Sequence, residues 1–355
     1  MSFADLVRDK SIVVLAGTGG VGKTTTSAVL ALHEARAGRK VALVTIDPAK
    51  RLADALGLDE LSNAPSRIDL SHSGEVESDG ELSAMMLDTK STFDELITRY
   101  SADEQQAQRI LGNDFYGNIS NALSGTQEYM AMEKLYELAE DGDYDLVIVD
   151  TPPSRNALAF LDSPNMLARL LDHWLYKALM APTRSLMRAS QVLLKQLSKV
   201  VGGDVVEDVV AFFQAFEGME DGFKERSQRV MELLASEACA FVLVASARRD
   251  TTIEAAYLAR QLSDNDLDVA AVVMNLLQPD FVRLNRRPRA PEFEPFLQAH
   301  DELHALADRE QIHIESLLDQ VDGQPVLVRV PLLATDVHDL EGMAQLATEM
   351  FPQSE

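Results

Sequence analysis

Ser11-Ile12-Val13-Val14-Leu15-Ala16-Gly17-Thr18-Gly19-Gly20-Val21-Gly22-Lys23-Thr24-Thr25 is the stretch on which the reading of this chain turns. It opens as a continuous apolar run, breaks at four closely spaced glycines, and resumes with Lys-Thr and a helical pattern. Gly17 to Thr24 matches G-x-x-x-x-G-K-[ST], and the match stands after a strand and before a helix, where its mechanism requires it. Glycines let backbone N–H groups turn inward on a phosphate, and the helix N-terminus adds its positive end. Lys23 neutralises terminal phosphates, and the Thr24 hydroxyl can ligate Mg²⁺.

Other short apolar runs follow, at residues 40–46, 82–87, 144–150, 239–246, 269–275 and 326–330. With 11–16 they make seven strand candidates, most of them unbroken instead of alternating, as parallel strands covered on both faces read. Helical patterns separate them. The expected fold class is α/β: a doubly wound, mostly parallel sheet of the phosphate-loop (P-loop) nucleoside triphosphatase type, with ligand at the carboxyl ends of the strands. Residues 1–355 are read as a single domain. Residues 89–140 and 163–237 form a helix-rich subdomain inserted within it, with Met166, Leu167, Leu170, Leu171, Trp174 and Leu175 at three-and-four spacing.

Two carboxylates end strands. Asp47, in Thr45-Ile46-Asp47-Pro48-Ala49, is placed to orient an attacking water or a phosphoryl acceptor. Asp150, in Val149-Asp150-Thr151-Pro152-Pro153, is placed to hold a Mg²⁺ shell. The structural alternative for each is a carboxylate capping the following turn or helix.

Composition closes off several classes. Thirty-two Lys and Arg against 57 Asp and Glu give a formal charge of −25 at pH 7, which disfavours nucleic acid and anionic lipid. The single cysteine, Cys239, leaves neither a disulfide framework nor a thiolate cluster, and excludes an iron–sulfur role. A cytoplasmic protein is expected. MSFADLVRDK does not read as a signal peptide, and no run approaches the ~20 apolar residues of a membrane span. Residues 343–355 lack the basic amphipathic helix of a membrane-attached partition or cell-division ATPase.

The phosphate loop, the stretch from Thr45 through Arg51-Leu52-Ala53-Asp54-Ala55-Leu56, Gly125-Thr126-Gln127-Glu128-Tyr129-Met130, Asp150-Thr151-Pro152-Pro153-Ser154-Arg155-Asn156, Asn275 and Pro331-Leu332-Leu333 together resemble the ArsA/Get-type ATPase family. That family holds arsenite-pump ATPases and ATPases that target tail-anchored membrane proteins. The resemblance covers nearly the whole chain and is nearest to bacterial ArsA-like proteins. It implies a dimeric, Mg²⁺-dependent ATPase whose two switches couple nucleotide state to a helical subdomain. By position, the loop from Gly17 through Thr18, Gly19, Gly20, Val21, Gly22, Lys23 and Thr24 to Thr25 would hold ATP. Asp47 would be the switch I water-positioning carboxylate and Asp150 the switch II residue near Mg²⁺. Asn275 would hydrogen-bond adenine, with the loop from Pro331 beside the base.

The departures are specific. Thr18 stands where the family's second lysine reaches across the dimer. A threonine donates a hydrogen bond but cannot neutralise phosphate charge. Arg155 or a paralogous subunit is the candidate replacement, so the dimer is expected to be either homomeric or formed with a paralogous ATPase. Residues 276–289 hold no Cys-x-x-Cys pair for a zinc-bridged dimer, one cysteine cannot build a metalloid site, and Asn156 replaces a switch II histidine.

In the helical insert, Met166, Met180, Met187, Met219 and Met231 with Phe212, Phe213 and Phe216 fit either core and dimer packing or a groove for an apolar protein client. Residues 278–295, with four prolines and Arg283, Arg286, Arg287 and Arg289, read as an irregular and mobile excursion. His72, His173, His300, His304, His313 and His338 read as scattered, without metal-ligand spacing on one face, and His33 as a packing residue. Thr251 and Glu254 fit a capping box. Two functions follow as expectations: an ATPase driving a client cycle, or a nucleotide-sensing subunit with little turnover of its own.

Overall fold

Runs that are apolar on every residue can only be satisfied by cover on both faces, and the sheet of this protein is built that way. The structure, a computed structural model, describes every residue except 47–50, 59, 72–78, 115, 118–125, 141–142, 153–207, 209–210, 213, 216–217, 280, 285–286, 289, 338 and 353–355. Only the backbone is described for residues 51, 126–129, 220–221 and 223–224.

Eight strands form one sheet: β1 Ile12–Gly17, β2 Lys40–Thr45, β3 Ser66–Arg67, β4 Glu81–Met86, β5 Leu146–Asp150, β6 Cys239–Ser246, β7 Val269–Leu277 and β8 Val326–Pro331. Their spatial order is β3-β4-β2-β5-β1-β6-β7-β8. Every pairing is parallel except β3 with β4. Every residue of β1, β5 and β6 is buried, so both faces at the centre of the sheet are covered. The fold is α/β, doubly wound and mostly parallel, as expected. The short antiparallel β3 is an addition: its two polar residues carry no apolar signal.

The chain leaves β1 for β2 on one side and returns for β6 on the other, so β1 is where the strand order reverses, flanked by β5 and β6. Ligands of such sheets sit outside the carboxyl ends at this switch point. The helix Lys23–Arg36 lies behind it with Thr26 through Leu32 all buried, and packs against the sheet and the helix Leu340–Met350. A helix covered on both sides can be apolar around most of its circumference. His33 ends that contact: its ring stacks on Phe351 with centroids 3.7 Å apart and planes 2° from parallel.

Two compact units divide the chain. One comprises Met1–Met86, Leu138–Leu158 and Leu234–Glu355 and holds the sheet; the other comprises Leu87–Glu137 and Ala159–Leu233. In the second, Asp88 and Asp103 cap the helices Thr89–Tyr100 and Glu104–Leu111 by accepting from backbone N–H groups. Tyr116 is fully buried and donates its hydroxyl to Asp94 Oδ1 at 2.6 Å; burial first, then that carboxylate, holds the phenol protonated well above its ordinary range. Arg226 pairs with buried Glu133 and lies 3.8 Å over the Tyr136 ring. Met219 is buried at 2% exposure. Met166, Met180, Met187, Phe213 and Phe216 lie outside the described residues, as does His173.

Three local expectations are corrected. Thr251 does not cap a helix: the helix Arg249–Ser263 begins two residues earlier, and the Thr251 hydroxyl donates back to the Ser246 carbonyl at 2.8 Å. The excursion after β7 ends at Pro291, where a short 3₁₀ turn leads into the helix Glu294–Leu318, with Pro295 in its first turn. Arg283 and Arg287 are tied to that helix through Asp308 and Asp301, each at 2.6 Å. On the same helix His300 and His304 do share a face, one turn apart, with ring nitrogens 3.1 Å apart.

Candidate phosphate site at the switch point

Gly17 ends β1 where the strand passes so close to β6 that a Cβ would run into the Val244 carbonyl oxygen. Only glycine admits that approach. The loop then climbs to Gly22, at φ +87° in the left-handed region that favours glycine, where a Cβ would collide with the Asn275 amide. These two constraints set the shape of the loop, and the helix begins at once with Lys23.

That helix has no side-chain cap and no acidic residue in its first turn. Helices at Thr89, Glu104 and Leu340 are each capped by an aspartate, Asp88, Asp103 and Asp339. The N–H groups that begin the Lys23 helix are therefore offered toward the loop, with the dipole's positive end behind them. Lys23 is buried, and its ammonium donates to the Thr18 carbonyl at 3.0 Å. Thr18 is itself buried at 7% exposure, and its Oγ1 has no hydrogen-bond partner among the described residues. A buried hydroxyl left unbonded costs about 1–3 kcal/mol, so the loop is arranged for an acceptor.

Beside it, Thr24 Oγ1 donates to Asp150 Oδ2 at 2.7 Å, and Thr45 Oγ1 reaches the same oxygen at 3.2 Å. The register pairs Asp150 with Leu15 on one side and Thr45 on the other, which is how three strands deliver one carboxylate to the phosphate loop. Thr151 next in the chain locks the end of β5 by donating its hydroxyl to the Leu15 carbonyl at 2.7 Å. A hydroxyl and a fully buried carboxylate side by side are hard oxygen ligands, the donor set that suits Mg²⁺. The residues present thus fit a magnesium nucleotide.

Asn275, at the carboxyl end of β7, reaches the loop from the other side: its Nδ2 donates to the Val21 carbonyl at 2.9 Å, and its Oδ1 accepts from the Leu276 N–H at 2.9 Å. Among the described residues the second amide hydrogen takes no part in these two bonds. The sequence alone does not announce this brace, since 254 positions separate the partners. Pro331 pairs with Leu277 and the Leu332 N–H donates to the Leu277 carbonyl at 2.7 Å, placing the loop after β8 next to the end of β7. Thr25 lies in the first turn of the helix, half-buried. Asp47, Arg155 and Asn156 lie outside the described residues.

Comparison with known proteins agrees with this geometry. The model of the anion-transporting ATPase (ArsA) family matches residues 10–351. The chain is similar to an ATPase GET3 of Malassezia globosa, 26% identical over 334 residues, covering 93% of this chain and 88% of the relative. It is also similar to an ATPase get3 of Schizosaccharomyces japonicus, 25% identical over 340 residues, covering 94% and 90%. A third relative, an ATPase GET3 of Mycosarcoma maydis, is 27% identical over 263 residues, covering 74% and 70%. With a family match over nearly its entire length, a phosphate loop at the strand-order reversal and a strand-end carboxylate against it, the chain belongs to the anion-transporting ATPase family.

Proposed function

We propose that this protein is a Mg²⁺-dependent ATPase of the cytoplasm, hydrolysing ATP to ADP and phosphate. The observation that carries the reading is the 2.7 Å contact between Thr24 and Asp150 beside an uncapped helix N-terminus. Backbone N–H groups of residues 19–25 hold the phosphates and Lys23 neutralises them, leaving the Thr18 carbonyl to do so. Thr24 and Asp150 would hold Mg²⁺, which supplies charge neutralisation across the terminal phosphates. Asp47, two residues beyond β2 in the sequence, would position the attacking water. Asn275 spends its remaining amide hydrogen on the base, next to the loop from Pro331.

In this reading residues 1–355 act as one ATPase domain, with 89–140 and 163–237 as an inserted helical subdomain whose state follows the nucleotide. The protein works as a homodimer or with a paralogous ATPase, handling a hydrophobic protein or membrane-associated client. Relatives named ATPase GET3 support the activity. The charge of −25 argues against nucleic acid, and among the described residues no helix is long and apolar enough to cross a membrane.

A second reading, a nucleotide-sensing subunit with little turnover, is favoured by Thr18, a buried neutral hydroxyl where a cation would speed phosphoryl transfer. Steady-state phosphate release with Mg²⁺, beside Lys23→Ala and Asp47→Asn and with molar mass recorded with and without ATP, separates the two. Turnover abolished by both substitutions, with ATP favouring a dimer, supports the self-sufficient ATPase. Tight ATP binding without turnover assigns the sensing role. Absence of ATP binding defeats both.

A further inference from the structure

The helix Glu294–Leu318 carries a feature that ATP binding does not use. His300 and His304 stand four residues apart, so their side chains leave the same face, and their Nε2 atoms lie 3.1 Å from each other. The rings meet edge to face, with centroids 4.3 Å apart and planes at 70°. A third donor joins them: the Val282 carbonyl oxygen lies 3.1 Å from His300 Nε2. A carbonyl only accepts, so His300 Nε2 carries the proton in the tautomer that makes that bond, and His304 Nε2, 3.1 Å from the same nitrogen, then faces it as an acceptor.

We propose that His300 Nε2, His304 Nε2 and the Val282 carbonyl form a binding site for a divalent late first-row transition metal. Two donors 3.1 Å apart, each bonded at about 2.05 Å to one ion, subtend roughly 100°, between the octahedral and tetrahedral angles. Imidazole nitrogen suits nickel, copper and zinc far better than magnesium or calcium. Among the described residues no three His, Cys, Asp or Glu side chains converge, so two imidazoles and a carbonyl hold the ion and water completes it. Ligation through Nε2 requires the other tautomer of His300, its one ring proton moving from Nε2 to Nδ1 on the side of Asp301, so a neutral imidazole binds with no net loss of a proton.

The surroundings favour a cation there. Asp301 Oδ1 lies 3.7 Å from His300 Nδ1, on the side from which an outer carboxylate orients a ligating imidazole. Asp301 also pairs with Arg287, and Asp308 with Arg283, so the loop that supplies Val282 is already drawn onto the helix. The net charge of −25 raises the local concentration of any divalent cation. An ion at this point would fasten the loop after β7 to the helix that follows it, downstream of the strand whose Asn275 braces the phosphate loop.

Calorimetric titration of Ni²⁺ into the tag-free, nucleotide-free full chain, in excess Mg²⁺ to mask hard oxygen sites, tests the assignment. Expected is one equivalent whose affinity falls at least about tenfold, or 1.4 kcal/mol, in either His300→Gln or His304→Gln. It is unchanged in His313→Gln, which alters the same helix elsewhere. Glutamine at position 300 can still donate to Val282, so folding is preserved, and thermal unfolding without metal checks it. Cu²⁺ electron paramagnetic resonance should show coupling to two imidazole nitrogens in the parent and one in each variant. Nickel affinity unchanged in both variants, or coupling to a single imidazole in the parent, would overturn the proposal.

Discussion

The Thr24 hydroxyl donates to Asp150 Oδ2 across 2.7 Å, joining residues 126 positions apart at the junction of β1, β2 and β5. Asp150 is wholly buried, and the Thr45 hydroxyl approaches the same oxygen. Asparagine preserves shape and can still accept from Thr24, but it removes the charge that a divalent ion needs. Asp150→Asn is therefore expected to keep the circular dichroism of the parent while phosphate release falls by about 10²–10³-fold and the Mg²⁺ requirement rises. Turnover within a factor of two of the parent at limiting Mg²⁺ would remove Asp150 from the site.

Thr18 makes a prediction whose sign depends on nucleotide. Its Oγ1 is buried without a partner among the described residues, so Thr18→Val, which keeps the shape, should leave the nucleotide-free protein as stable as before or slightly more so. With ATP the lost donor should cost about 0.5–1.5 kcal/mol of binding, roughly two- to tenfold in Kd. Paired thermal shifts with and without ATP read both signs in one experiment. A variant equally affected in both states points to packing alone.

Strand positions were legible because parallel strands buried on both faces must be apolar at every residue, and β1, β5 and β6 read that way from sequence. Ser66–Arg67 pairs antiparallel at the edge with polar side chains, and so left no pattern to find. The phosphate loop was legible because its residues are local. Contacts made by folding were not: the Asn275 brace on Val21 and the Thr45 hydroxyl on Asp150 join positions with no common local signal. His300 and His304 show the intermediate case. Their four-residue spacing is visible in the sequence, but the loop carbonyl that completes the group is brought there by the ion pairs of Arg283 and Arg287.

Cys239 begins β6, buried, and burial pushes its thiol up to about 12. The unfolded thiol ionises near 8.5, so both states are protonated at neutral pH and the cysteine adds no pH dependence there. Between pH ~8.5 and ~12 only the unfolded chain loses the proton, and stability falls by up to ~1.4 kcal/mol per pH unit from this group. Urea unfolding at pH 7.5, 9 and 10 should show the parent losing more than Cys239→Ala. Parallel curves would mean that the thiol is not shielded.

In the second unit, Arg226 is held between the Glu133 carboxylate and the face of Tyr136. Burial raises the Glu133 carboxyl above its usual range, with Arg226 as the main opposing influence. Arg226→Ala strands a buried acid and is expected to cost about 3–5 kcal/mol. Glu133→Leu with Arg226→Met removes both charges and should cost less than the single change. Chemical denaturation of the parent, Arg226→Ala, the singles Glu133→Leu and Arg226→Met and the double variant tests this; a double variant as unstable as the sum of Glu133→Leu and Arg226→Met would mean the two charges do not see each other.

Gly22 and Asn275 offer the sharpest test of how the phosphate loop is held. Alanine at position 22 must adopt a left-handed backbone, costing about 1–2 kcal/mol, and its methyl also displaces the Asn275 amide from the Val21 carbonyl. Asn275→Ala alone loses that hydrogen bond, for about 0.5–1.5 kcal/mol. In the double variant the side chain that the methyl would strike is gone and its bond is already lost, so only the backbone strain should be added. The two single losses should therefore sum to more than the double loss, by at least about 0.5 kcal/mol. Strict additivity in unfolding free energy would show that the methyl and the amide do not meet, and that Asn275 stands off the loop it is placed to brace.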